Sequence, residues 1–109
     1  MSDRIPTYLW LDAKIRELSA RGVGVYVANR GDKMGGLVLL KISDMAGQCR
    51  LLTQQRNLDG ALVLMNALKD DVMDEKSADD YIARAVNRDP DLWVIEVEDR
   101  TMNNPFSLP

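Results

Sequence analysis

The sequence contains no histidine and a single cysteine, and these two shortages exclude much enzyme chemistry. Histidine is the commonest general base near neutral pH and the commonest zinc ligand, so triads of the Ser-His-Asp or Cys-His type are ruled out. Cys49 alone can form neither an internal disulfide nor a cysteine-cluster metal site. It alternates with Leu51 and Thr53, which predicts that it faces the core as a small apolar residue. Any catalysis would rest on carboxylates, lysine, tyrosine or Cys49, and we expect no cofactor.

Long hydrophobic runs are also missing. The longest apolar runs, 37–40 and 61–65, fall far short of the roughly 20 residues that a membrane-spanning helix needs. The first residues, M-S-D-R-I-P-T, lack the basic region, apolar stretch and cleavage site of an export signal. Together with the lone cysteine, these features predict a cytoplasmic protein that does not bind membranes.

Length and composition predict one folded domain. Of the 109 residues, 46% are hydrophobic and 28% are charged, close to the average of globular proteins. A chain of this length buries roughly two-thirds of the surface that its unfolded form exposes. We therefore expect a single domain over 1–109, with a core at about 5–100 and an irregular C-terminal tail at 101–109.

Proline and glycine bracket the first predicted helix. Pro6 suits the first helical position and Gly22 suits the residue just past a helix end, which predicts a helix over 6–21. Trp10 points nearly opposite to the apolar stripe of this helix. Either the helix start packs on two sides, or Trp10 is an exposed aromatic anchor for a partner. The apolar stripe itself consists of Tyr8, Leu11, Ile15 and Leu18.

A second helix is predicted before Pro90. Ser77 is the predicted cap, with Asp80 three residues later in a capping-box arrangement. The acidic stretch 69–76 that precedes it is predicted to be a surface loop. The inner face of this helix comprises Ala78, Ile82, Ala85 and Val86.

Short β-rich runs predict five strands, at 23–28, 37–42, 48–56, 61–68 and 92–99. Three glycines between the first two runs predict a tight reversal and hence a hairpin. Asp59-Gly60 predicts a second hairpin, although periodicity alone leaves 61–68 open to a helix.

The order α-β-β-β-β-α-β predicts an α+β fold. Its single sheet would be mostly antiparallel, with four to five strands and two packed helices. A crossover from the fourth strand through the second helix to the fifth strand would add one parallel pair.

Three segments resemble a known family. They are I-P-T-Y-L-W-L-D-A-K-I-R, L-L-T-Q-Q-R-N-L-D-G and Y-I-A-R-A-V-N-R-D-P-D-L-W-V-I-E-V-E-D-R. On these residues the chain resembles a small bacterial family known as domain of unknown function 1491. The resemblance spans about residues 4–100, and D-P-D-L-W-V-I-E-V-E-D-R is its most specific part. It implies a stand-alone cytoplasmic protein of similar length, and it supplies no activity or catalytic residues.

Basic side chains recur on the predicted sheet. Arg50, Gln54 and Arg56 fall on one face of the third strand, and Lys41 and Arg30 on neighbouring strands could join them. Aligned arginines suit phosphate or carboxylate, because the guanidinium group offers paired donors. The alternative is an ordinary solvated sheet face.

Carboxylates cluster at the end of the fifth strand, where Glu96, Glu98 and Asp99 follow one another closely. Such groups can hold a hard cation or share a raised pKa. Strand residues two apart are roughly 7 Å from each other, however, so cross-strand pairing with Arg50 or Lys41 is the preferred interpretation. No metal site is predicted.

These features leave three functions open. The preferred hypothesis is a non-catalytic module that binds another protein, with Trp10 and the charged sheet as candidate contacts. Association with nucleic acid or the ribosome is the second, although the net charge of −3 disfavours it. An enzyme based on carboxylates, with or without a metal, is the third. Self-association is left open. The candidate binding residues are Trp10, Arg30, Lys41, Arg50, Gln54 and Arg56.

Overall fold

The computed structural model describes residues 5–106, except for the side chain of Leu62. Within this range it confirms the predicted α+β fold, in which two helices pack on one sheet. None of the helices in 5–106 has the length and apolar character to cross a membrane. The helices are α1 (Thr7–Ala20) and α2 (Glu75–Arg88), and the strands are β1 (Gly24–Asn29), β2 (Val38–Ser43), β3 (Gln48–Arg56), β4 (Leu62–Asn66), β5 (Met73–Asp74) and β6 (Trp93–Glu98).

The strands lie in the order β1-β6-β2-β3-β4, and the short β5 pairs with β3. The predicted hairpin between the first two strands is wrong, because β6 lies between β1 and β2. β6 is apolar on both faces at Trp93, Val94 and Ile95, all buried, which favours a central place in the sheet. The predicted parallel pair exists, but β6 forms it with β2 rather than with β4. The run after Asp59-Gly60 is a strand, as preferred over a helix.

The two helices cover opposite faces of the sheet, so β2 is buried on both sides. Val38, Leu40 and Ile42 belong to the core under α1. Leu39 belongs to the core under α2, and the alternation of side chains places Lys41 on that same face.

The glycine-rich segment 30–37 carries the chain across the end of β6 instead of turning tightly. The Asp32 amide donates to the Asp91 carbonyl at 2.9 Å, and the Trp93 indole donates to the Asp32 carbonyl at 2.7 Å. A Cβ atom on Gly31 or Gly36 would overlap the carbonyl oxygen of Asp91. These glycines therefore allow close approach of two backbones, which is a different role from the predicted hairpin turn.

Helix α2 begins two residues before the predicted cap. Asp74 is the N-cap, and its carboxylate accepts hydrogen bonds from the Ser77 amide at 3.2 Å and the Ser77 hydroxyl at 2.6 Å. These bonds from Ser77 lower the pKa of Asp74. The predicted loop 69–76 therefore contains β5 and the first residues of α2. Aspartate and serine cap helices about equally well, so the sequence offered two starting points.

The C-terminal tail is irregular over 101–106, as predicted, yet it contributes to the core. Phe106 is buried against the α1 side of the sheet, and Met102 packs there partly buried. The Arg50 guanidinium on β3 donates to the Met102 carbonyl at 2.8 Å. Residues 107–109 of the predicted tail lie outside the described residues.

Candidate functional site

A buried lysine lies at the centre of the sheet under α2. Lys41 is 6% exposed, and its ammonium group lies 2.9 Å from the Asp79 carboxylate, 3.4 Å from Glu96 and 3.6 Å from Glu75. Glu96 is opposite Lys41 in the parallel register of β2 and β6. Glu75 and Asp79 lie one helical turn apart on α2, so both carboxylates point at the Lys41 ammonium group. The predicted pairing of Glu96 with Lys41 is thus present.

The charge state of this cluster follows from its contacts. Burial would lower the pKa of Lys41, but the hydrogen bond to Asp79 and the charges of Glu96 and Asp79 together raise it above its ordinary value. A lysine that remains protonated is a fixed cation and a poor nucleophile. The arrangement therefore suits the tethering of α2 to the sheet better than covalent catalysis.

Cys49 shares this face of the sheet and is fully buried, as predicted. Burial raises the pKa of the Cys49 thiol to about 11, and the opposing influence of Lys41 does not offset it. The thiolate is the reactive form of cysteine, so a thiol with this pKa is inert at neutral pH.

We expect iodoacetamide at about pH 8 to modify Cys49 at least about 100-fold more slowly in the folded protein than in the urea-unfolded chain. The lower thiolate fraction gives most of this factor, and burial adds to it. A mass-spectrometric time course would measure both rates. Rates within a few-fold of each other would show that Cys49 is accessible and ionised, and would return it to the list of candidate nucleophiles.

The predicted basic sheet face is not contiguous. Arg50, Gln54 and Arg56 do share the α1 face of β3, but Lys41 lies on the opposite face, because it pairs with Leu51 and not with Arg50. Gln54 is buried, and its side-chain oxygen accepts the Val38 amide at 3.0 Å.

The remaining basic groups also make internal contacts. Arg56 donates to the Gly60 carbonyl at 2.7 Å, and Arg50 holds the C-terminal tail. Arg30 lies in the segment over β6, where its guanidinium stacks on the Trp93 ring at 5.4 Å from the centroid. Trp10 is partly buried against the α1-side core, which agrees with packing on a second side. That these residues contact a partner stays a prediction.

The described residues contain a small cleft and no group of metal ligands. Within residues 5–106, no three His, Cys, Asp or Glu side chains are grouped to hold an ion. A cleft of about 170 Å³ opens between α2 and the sheet. Small-molecule sites usually exceed about 300 Å³, so this cleft is small for a substrate. Its lining residues are Leu39, Thr53, Tyr81, Ala85, Arg88, Asp89 and Leu92.

Strand β1 forms one edge of the sheet. The hydrogen bonds of β6 show which backbone N–H and C=O groups of β1 point away from the sheet. The amides of Trp93 and Asp99 both donate to the β2 side, so the odd-numbered residues of β6 point their backbone groups towards β2. The even-numbered residues point towards β1 and pair with Gly24 and Tyr26. Val25 and Val27 therefore point their N–H and C=O groups away from the sheet.

Among the described residues, nothing pairs with this outer side of β1. No backbone hydrogen bond outside the β1–β6 ladder involves a residue of Gly24–Asn29. The strand has no charged residue and no proline, and Tyr26 is 53% exposed and Val27 is 38% exposed. The predicted hairpin with β2 also leaves one side of β1 unpaired, but the residues that face outward depend on the register with β6. The open edge of β1 is the candidate functional site.

Comparison with known proteins places the chain in a family. The model of the family described as "Protein of unknown function (DUF1491)" matches residues 5–107, nearly the whole chain. The chain belongs to this family. The resemblance seen in the sequence is thereby confirmed, and the DUF1491 description assigns no activity. No curated protein matches the chain.

Three solved structures show the same fold, and two of them are of DUF1491 family proteins. A crystal structure of a family member from Caulobacter crescentus CB15 is 33% identical, with a TM-score of 0.84, and the match covers 97% of this chain and 98% of that one. An NMR structure of a DUF1491 family protein from that strain is also 33% identical, with a TM-score of 0.81 and coverage of 96% and 94%. The solution structure of Atu0922 from A. tumefaciens is 19% identical, covers 88% and 86%, and at a TM-score of 0.71 shows the fold alone.

Proposed function

We propose that this protein is a non-catalytic module that binds another protein by adding an extended segment to β1. The observation that carries the proposal is the open outer side of this strand, where the backbone groups of Val25 and Val27 have no partner among residues 5–106. An extended peptide that pairs with an exposed edge gains main-chain hydrogen bonds, and the neighbouring side chains give specificity.

The composition of β1 supports this function over accidental exposure. Natural sheets protect their edges with charges, proline, bulges or short strands, because an open edge invites pairing with other chains. β1 is six residues long and lacks charge and proline. A bulge after Val27 ends its regular pairing, so the available template is Gly24–Val27.

The other two hypotheses have less support. Of the arginines that would hold nucleic acid, Arg50 and Arg56 bond to backbone carbonyls of the chain itself, and Arg30 stacks on Trp93 in another segment. Lys41 and Cys49, which would be candidate nucleophiles, both have raised pKa values and remain protonated. The proposal includes a cytoplasmic site of action, since a lone unpaired cysteine is typical of reducing compartments.

Substitution of Val27 tests the proposed function. Val27→Pro removes one outward N–H group and leaves the hydrogen bonds to β6 intact, whereas Val27→Ala keeps that group. We expect tagged Val27→Pro to recover about tenfold less of a specific partner from lysate than the wild type, and Val27→Ala to recover nearly as much. Circular dichroism would establish that both variants are folded.

Two further arms of the recovery experiment separate the alternatives. Nuclease treatment that abolishes recovery would assign the partner to the nucleic-acid class and contradict the proposal. Trp10→Ala tests the aromatic-anchor hypothesis independently, because Trp10 belongs to α1 and not to the sheet edge. Equal recovery by the wild type and Val27→Pro would show that the edge of β1 is not the binding site.

A further inference from the structure

The sheet surface beside β1 carries the carboxylate of Glu98. Glu98 is the register partner of Gly24, and its carboxylate leans over this glycine, where a Cβ atom would overlap Glu98 Oε1. The Tyr26 hydroxyl donates to the same carboxylate at 3.1 Å, which holds it in place. The Glu98 carboxylate, held by Tyr26, therefore places one negative charge above β1.

The Glu98 side chain extends across β1, which brings its charge within reach of a strand added to the outer side of β1. Neighbouring strands are about 4.8 Å apart, so β6 itself would be two spacings from a segment paired with β1. Because Gly24 has no side chain, the carboxylate covers roughly half of that distance. A lysine or arginine side chain of the added strand could therefore cross the remaining gap, of about 5 Å, and contact Glu98.

The two faces at this edge differ in polarity. Gly24 and Tyr26 lie on the face with Glu98 and Glu96, whereas Val25 and Val27 lie on the α1 face, where Val25 is buried and Val27 is partly exposed. An added strand has alternating side chains, so its residues would meet the Glu98 carboxylate on one face and valine on the other, while Glu96 is paired with Lys41.

We infer that β1 accepts an extended segment with a lysine or arginine beside Glu98 and apolar residues on the opposite face. This inference rests on the proposed function and names the chemistry of its partner. A second copy of the chain fits less well, because Gly24–Asn29 contains no cation and would bring another Glu98. Charge complementarity of this kind gives specificity and fast association more than affinity.

NMR titration of the ¹⁵N-labelled protein with capped synthetic peptides tests the inference. The probes are peptides of about eight residues in which valine alternates with lysine, glutamine or glutamate. We expect the valine–lysine peptide to shift the Val25 and Val27 amides and to bind about tenfold more tightly than the valine–glutamine peptide. Raising sodium chloride from about 50 mM to about 500 mM should remove most of that difference.

A matched pair of variants assigns the effect to Glu98. Glu98→Gln keeps an acceptor for Tyr26 and removes the charge, and Asp59→Asn removes a charge from the exposed turn between β3 and β4. We expect Glu98→Gln to weaken the valine–lysine peptide about fivefold and Asp59→Asn to leave its affinity nearly unchanged. Equal effects of both variants would overturn the inference, because the preference would then follow net charge alone.

The remaining outcomes separate the inference from the proposed function. Equal binding of the lysine and glutamine peptides at Val25 and Val27 would overturn the cationic preference and leave strand addition standing. No shift of these amides by any peptide at millimolar concentration would overturn both. Shifts of the same amides with protein concentration alone would identify a second copy as the occupant and overturn the inference.

Discussion

We expect Gly31→Ala to lower the free energy of unfolding by about 3 kcal/mol, at the upper end of what forced overpacking costs. A Cβ atom at Gly31 would overlap the Asp91 carbonyl oxygen and lie 2.6 Å from the Trp93 ring. The carbonyl is backbone and Trp93 is buried, so neither can move aside cheaply. Urea denaturation followed by circular dichroism would measure the change.

Gly35→Ala is the matched control in the same segment. The nearest atom to a Cβ at Gly35 is an Asp32 carboxylate oxygen at 3.9 Å, and the backbone of Gly35 does not have a positive φ. We expect this variant to change stability by less than about 0.5 kcal/mol. Equal stability of the two variants would contradict the close packing of this segment against Asp91 and Trp93.

Lys41→Met should lower the free energy of unfolding by about 2 kcal/mol, because it leaves three carboxylates around a site with no cation. Removing one partner of a fully buried ion pair costs more, but Asp79, Glu75 and Glu96 are 58%, 46% and 30% exposed and water can solvate them. Lys76→Met is the control. Lys76 pairs with Asp80 at 2.9 Å on the same helix and is 82% exposed, so we expect a change near zero.

The pH dependence gives the Lys41 prediction a second readout. The folded-state pKa of Lys41 lies above its ordinary value of 10.5, so the unfolded chain loses this proton first as pH rises. The stabilisation from Lys41 is therefore fully present below about pH 10 and is lost as pH rises through the folded-state pKa. The difference between wild type and Lys41→Met should be constant from about pH 7 to pH 9 and should shrink above about pH 10.5.

A Lys41→Met variant as stable as the wild type, or more stable, would contradict the structural role of the cluster. Buried ion pairs can cost stability compared with apolar residues of similar size. A cluster retained at such a cost would point to a ligand or a reaction on the α2 face of the sheet. That result would revive the carboxylate-based enzyme among the hypotheses.

Local patterns predicted most elements of the fold. The 3.6-residue spacing in α1 and the alternation in β3 depend only on residues close in sequence, and β3 was predicted with its observed bounds. The strand order depends on distant residues. Consecutive strands usually neighbour each other, but here the two apolar faces of β6 are better buried at the centre, between β1 and β2.

The candidate site was harder to predict because it depends on register and on the strand order. A shift of one residue in strand pairing moves a side chain to the other face, and the pairing of Lys41 with Leu51 separates it from Arg50. The residues of β1 that face outward could not be inferred, because they depend on the register with β6 and the predicted partner was β2. Cys49, in contrast, was correctly predicted to be buried, because the alternation within a single strand decides its face.

Amide hydrogen exchange along β1 tests the central claim, that this edge is open in the folded protein. Tyr26 donates towards β6, whereas Val25 and Val27 face outward. We predict that the amides of Val25 and Val27 exchange at least about tenfold faster than that of Tyr26, because only the Tyr26 amide is hydrogen-bonded within the sheet. Equal protection of all three amides would mean that the edge is already paired, and it would contradict the account.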